Sequence, residues 1–332
     1  MRCNLIKSKK GDISQPFIFI FAIVAGALIL TFLLWFARGH VRIESLKSSQ
    51  EAAFYFDETL TLLSAGEDVY KSIDNPLKRK YEISCGTLKV EEGKPAKLNS
   101  IVFSPKQLSA NKLSIYSKSI LFPFKIANIY IISDPSKRYL FVYDERTKDL
   151  VESFKKDIRV KLPEIFNFQL ISKQNLISTL NELTKQQITR FVLFTQLSQQ
   201  DINKILQKFP NSDILLIDYQ DGSGNLKFIS KTSTADSNFF SLHMLFAAIF
   251  SQDQNTYECS KAQLLNKLKL LSKFYSQKAS LLNSAFTNCP YPQASGVLNS
   301  IDISTLESLK SFKISLEEVN NILAGGNCAP LY

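Results

Sequence analysis

Histidine is nearly missing from this 332-residue sequence: His40 and His243 are the only two. That leaves few ways to build a Ser-His or Cys-His nucleophile. The five cysteines (Cys3, Cys85, Cys259, Cys289, Cys328) include no CxxC pair and no close Cys/His cluster, which argues against a zinc site. Glycine is scarce at 11 residues, and no strand-to-helix turn is glycine-rich. A phosphate cradle needs backbone amides to approach the ligand with no Cβ in the way, so a dinucleotide fingerprint and a P-loop are both excluded. Neither GxSxG nor HExxH occurs, and no Asn-x-Ser/Thr offers a glycan acceptor. "DGSGN" (221–225) lacks the alternating acids and distal glutamate of a calcium loop and reads as a turn. These absences assign no catalytic residue, no cofactor-binding residue and no metal ligand.

Charge is missing in a different sense from one stretch. Ile13 to Ala37 is 25 residues without an ionisable side chain, nearly all apolar. A helix rises about 1.5 Å per residue, so about 20 such residues cross a bilayer core. A secretory h-region is only about 7–15 residues long and ends at a small-x-small site. Here the run continues through Trp35 and Phe36 to Arg38, aromatic and basic residues suited to the membrane interface. A single transmembrane helix is expected. Arg2, Lys7, Lys9 and Lys10 against Asp12 place the N-terminus on the cytoplasmic side by the positive-inside bias. About 295 residues then lie outside the cytoplasm. Four cysteines fall in that region, enough for two bridges in an oxidising compartment.

"KSKKGDISQPF" (7–17) resembles an archaeal prepilin leader, in which a basic stretch and a glycine precede the apolar helix. The resemblance implies cleavage after Gly11, leaving Asp12 first. Pro16 stands where pilins typically carry a glutamate that pairs with a neighbour's new N-terminus. The whole chain also resembles uncharacterised single-pass archaeal proteins.

Past the membrane, "IESLKSSQEAAFYFDETLTLLSAGEDVYKSI" reads as a continuing stalk helix. Leu46, Ala53 and Leu60, and Ser49, Phe56 and Leu63, recur at seven and make one mostly apolar stripe. Two and a half heptads suit packing on the chain's own domain, with self-association as the alternative. Asp74-Asn75-Pro76 is the expected stop, since proline removes a donor and restricts its predecessor. From Tyr81 to Ile132 short runs rich in β-branched and aromatic residues, punctuated by Gly93, Pro95, Pro105 and Pro123, predict strands.

Residues 138–231 are the most regular. Strands are predicted at 138–144, 167–172, 190–196, 213–219 and 225–230, with helices near 146–158, 173–184 and 198–208. Ser198 with Asp201 three residues on is a capping box. Alternating strands and helices imply a mainly parallel sheet, and the last strand pair a hairpin at Asp221-Gly222. An open parallel sheet offers a crevice at the carboxyl ends of its strands, where Asp144, Ser172, Thr195 and Asp218 fall. His243, inside the apolar "FFSLHMLFAAIF" (239–250), is read as a core or interface residue. The remainder is helical: 238–251, 261–286 and 304–323. Cys259 and Cys289 flank the long helix, nearly 38 Å apart along about 25 residues. Bridged Cα atoms lie within about 7 Å, so these two are expected to pair not with each other but with Cys85 or Cys328.

The expected class is therefore α/β, in six segments: basic cytoplasmic tail 1–12, transmembrane helix 13–37, stalk helix 38–75, β-rich segment 76–135, α/β sheet domain 136–232 and helical C-terminal region 233–332. Net charge is +10, of which residues 1–16 hold +3; the lysines are scattered, and no nucleic-acid partner is expected. The partners expected are the lipid bilayer and a protein, either another chain or a second copy through the stalk. The function expected is that of a membrane-anchored extracytoplasmic binding or assembly protein. The alternatives are a pilin-like subunit processed after Gly11 and an extracytoplasmic enzyme with a carboxylate site at the strand ends.

Overall fold

A computed structural model describes residues 14–66, 68–161, 167–183 and 189–332. The basic tail, Cys3 and the leader around Gly11 lie outside the described residues. The first element, α1 (Ser14–Leu63), is one unbroken helix about 75 Å long. Within it Ile20–Ala37 is long and apolar enough to span a membrane, and none of that window is buried against the protein.

Below that span the same helix becomes amphipathic. Ala53, Phe56, Leu60 and Leu63 are buried against the first sheet with Ile83, Leu88 and Leu113. The seven-residue stripe therefore packs on the chain's own domain. The helix stops at Leu63, not at the expected Asp74-Asn75-Pro76, and residues 69–75 belong to a strand. The amides of Ser64, Ala65 and Gly66 take up the carbonyls that the helix end leaves unpaired, and Asn128 fastens the following turn by donating to the carbonyls of Ser64 (3.1 Å) and Gly66 (2.8 Å).

The first sheet comprises β1 (Val69–Ser84), β2 (Thr87–Val90), β3 (Ala96–Lys97), β4 (Ile101–Phe103), β5 (Gln107–Leu121) and β6 (Lys125–Ser133). Their order is β3-β2-β1-β5-β6-β4, antiparallel apart from β4 with β6. Pro76 falls where the β1–β5 register breaks, between Asp74 and Arg79. A residue with no N–H is tolerated in a strand at such an interruption.

The second sheet is built from β7 (Arg138–Tyr143), α2 (Lys148–Lys161), β8 (Asn167–Ser172), a 3-10 turn (Lys173–Asn175), α3 (Leu176–Glu182), β9 (Arg190–Leu193), α4 (Gln199–Lys208), β10 (Asp213–Gln220), β11 (Ser223–Ile229) and β12 (Thr234–Phe239). Its order is β12-β11-β10-β9-β7-β8. The strands β8, β7, β9 and β10 run parallel, while β10–β11 and β11–β12 are antiparallel. The sheet is thus mixed, with three of its five pairings parallel and two antiparallel, the β10–β11 hairpin among the latter as expected. The extra strand is β12, in a segment expected to open the helical region. Ser198 accepts from the Asp201 amide at 3.2 Å and opens α4 as the sequence implied. Asp221 and Gly222 both take positive φ (44° and 81°), forming the expected hairpin.

The last four helices are α5 (Leu242–Phe250), α6 (Gln254–Ala285), α7 (Tyr291–Asn299) and α8 (Leu306–Gly325). They share the largest core with residues of both sheets, among them Phe103, Ile129, Phe141 and Phe239. Helices α3 and α4 cover the other face of the second sheet through Leu176, Leu180, Ile202 and Ile205. Two cysteine pairs lie at disulfide distance: Cys85 with Cys259 and Cys289 with Cys328, with Cα atoms 5.8 and 6.0 Å apart. Cys259 and Cys289 are not joined, as the helix length requires.

Candidate functional site

The carboxyl ends of the parallel strands frame a cleft of about 410 Å³. Asp144 follows β7 directly, Thr195 lies two residues past β9, and Asp218 and Tyr219 are among the last three residues of β10. Arg146, Thr147 and Gln196 complete its polar lining, beside the apolar Leu150, Phe194 and Ile217. Three of the four residues expected from strand ends therefore meet here. Ser172 does not line the cleft and instead precedes the 3-10 turn after β8.

Asp144 is tightly engaged. One carboxylate oxygen accepts from the Thr195 hydroxyl at 2.8 Å. The other accepts from the amides of Arg146 (3.0 Å) and Thr147 (3.1 Å) and from the Thr147 hydroxyl (3.1 Å). These bonds hold the Asp144 carboxyl below its ordinary pKa, the Thr195 hydroxyl being the largest cause and partial burial opposing it. Its geometry is that of a side-chain-closed turn leading into α2, tied laterally to the neighbouring strand. The acid exposed to the cleft is Asp218.

The aromatic wall has its own support. Tyr219 stacks on Phe239 of β12, with centroids 6.3 Å apart and planes 16° from parallel. Opposite it in the hairpin sits Gly224, where an added Cβ would fall 1.9 Å from the Asp218 carbonyl oxygen. Only glycine lets the two strands close at this point. So β12, the strand not foreseen, braces the side of the cleft that carries Asp218 and Tyr219.

At the opposite end of the same strands lies a residue with no sequence motif to mark it. Arg190 opens β9, Asp213 opens β10, and the two are register partners. The Arg190 guanidinium, 3% exposed, donates from Nε and Nη2 to the two Asp213 oxygens, each at 2.7 Å. Its remaining donors reach the carbonyls of Ala248 (2.9 Å), Ile249 (3.0 Å) and Gln252 at the end of α5. A cation at a helix C-terminus meets the negative end of the dipole, so this residue fastens α5 to the sheet. The available signal was that two consecutive parallel strands begin with opposite charges. His243, on α5, is half-buried and lines none of these features.

No metal-ready group of three or more His, Cys, Asp or Glu side chains occurs among the described residues. Asp144 already accepts four hydrogen bonds. The cleft presents donors from Arg146 and Gln196, an acceptor in Asp218, and the ring of Tyr219. Compared with known proteins, the chain matches no family model, no curated protein and no solved structure.

Proposed function

We propose that this protein is a single-pass membrane protein whose α/β domain lies outside the cytoplasm and acts by binding or assembly, not by catalysis. The observation that carries the binding reading is the saturated Asp144 carboxylate. A general base must be free to take a proton, and this carboxylate is committed to holding the β7–α2 turn. With Asp144 so committed, Asp218 has no second carboxylate free to work beside it in the cleft. The extracytoplasmic placement is supported by the unburied apolar helix and by two cysteine pairs at bonding distance, a combination typical of oxidising compartments.

The experiment is protease treatment of intact cells, with a denaturing step if the fold resists. Digestion beyond residue 40 in intact cells is expected. Full protection until lysis would reverse the orientation. The N-terminal mass of the purified protein separates an intact anchor from a pilin-like subunit, which would begin at Asp12.

A further inference from the structure

Two helix faces are exposed, apolar and opposite in charge. On α1, Phe54, Tyr55 and Leu62 are 73%, 53% and 65% exposed, on the side away from the sheet that buries Ala53, Phe56 and Leu60. Glu51 and Glu58, both exposed, fall three and four residues from Phe54 and so share its line, with Leu62 four residues beyond Glu58. On α6, Leu270, Phe274 and Leu281 are 67%, 61% and 73% exposed at spacings of four and seven. The exposed Lys267, Lys269 and Lys273 flank them, and no acid occurs anywhere between Cys259 and Ile301. Contiguous apolar exposure of this kind marks surfaces that meet something.

The two faces are complementary. Acids interleave with apolar residues on one, and lysines do so on the other. Phe54 to Leu62 rises about 12 Å, and Leu270 to Leu281 about 16 Å. Lys267 lines a cavity together with Thr61 and Ser64 at the far end of α1, so the α6 stripe begins level with Leu62. Ser64 stands 27 residues past Ala37, about 40 Å of helix. That length lifts the lysine face clear of the head groups beneath it and favours a protein partner over the chain's own bilayer.

We propose that the Glu51–Phe54–Glu58–Leu62 face of one copy docks on the Lys267–Leu270–Phe274–Leu281 face of a second copy. The contact joins two different surfaces, so copies rooted in one membrane build a ring or an open row instead of stopping at a symmetric pair. It rests on the assembly reading above only in requiring a common membrane. A reversed topology would move the domain to the other side and leave the contact unchanged, so the two ideas fail separately.

The test uses the full chain in neutral-lipid vesicles and in mild detergent. A zero-length carbodiimide cross-linker should join Glu51 or Glu58 to Lys267, Lys269 or Lys273, and isotope-mixed samples should show the links to be between copies. In detergent, light scattering should find species larger than a dimer. Glu51→Lys with Glu58→Lys should abolish them, as should Lys267→Glu with Lys273→Glu. An equimolar mixture of these two variants restores complementary charge at both junctions, native at one and reversed at the other, and should recover the larger species with the two variants alternating. All four reversals in one chain should restore the larger species, which a misfolded variant could not do. A monomeric wild type overturns the proposal, as do reversals without effect, or cross-links joining α1 to α1. So does loss of binding to anionic vesicles by the lysine variant with its assembly unchanged, which would assign that face to lipid.

Discussion

Thr195 reaches from one parallel strand to the acid that ends its neighbour, and its hydroxyl is the largest influence on the Asp144 carboxyl. Thr195→Val keeps the shape and removes that donor. A hydrogen bond to a charged group contributes about 1.5–3 kcal/mol when well buried, and this site is only partly so; we expect a loss below that range, about 1 kcal/mol. The pH dependence follows from the sign. Asp144 is depressed in the folded state, so its stabilisation is present above the unfolded carboxyl value of about 3.9 and is lost as pH falls through the folded value. Denaturant unfolding of both proteins at neutral pH should show the gap, and below the carboxylate range it should close. A gap that persists at low pH would assign the effect to packing. Arg190 is the opposite case, a buried charge with every donor engaged. Arg190→Leu strands the Asp213 carboxylate and three carbonyls, so the expected cost is about 3–5 kcal/mol. An unfolding midpoint unchanged from wild type would show that α5 is held by its apolar contacts alone.

Among the elements, those whose pattern is local were readable. The capping box of α4, the Asp221-Gly222 hairpin and the apolar spacing of α2 each depend on residues within a turn or two. The end of α1 was not. "GEDVYKSID" fits a helical heptad as well as a strand, and the deciding interactions are the pairing of β1 with β5 and the Asn128 bonds to the turn from more than 60 residues away. Strand β12, "TADSNF", is polar and poor in β-branched residues. It forms because β11 offers an edge and α5 and α6 cover it, context that a six-residue window lacks. The cleft divides the same way. Asp144, Thr195 and Asp218 were found because strand ends in an open parallel sheet converge. Arg146, Gln196 and Tyr219 depend on how the turns aim their side chains, and Arg190 depends on a partner strand.

At the scale of the whole molecule, the two cysteine pairs bind layers that the chain visits far apart in sequence. Cys85, in the β1–β2 turn of the first sheet, meets Cys259 in α6 across a separation of 174 residues. Cys289, after α6, meets Cys328 beyond α8 across 39. Closing loops of these lengths restricts the unfolded chain by about 5 and about 4 kcal/mol respectively. Cys85→Ser with Cys259→Ser should therefore lower stability more than Cys289→Ser with Cys328→Ser. Reductant should reproduce the sum in wild type and do nothing further to the four-serine protein. Peptide mapping under non-reducing conditions, on protein from its native compartment, should give 85–259 and 289–328 linked peptides. A 259–289 peptide would contradict the 32-residue helix between sheet and bundle. Four free thiols would place the domain in a reducing compartment, and with it the whole membrane orientation would turn over.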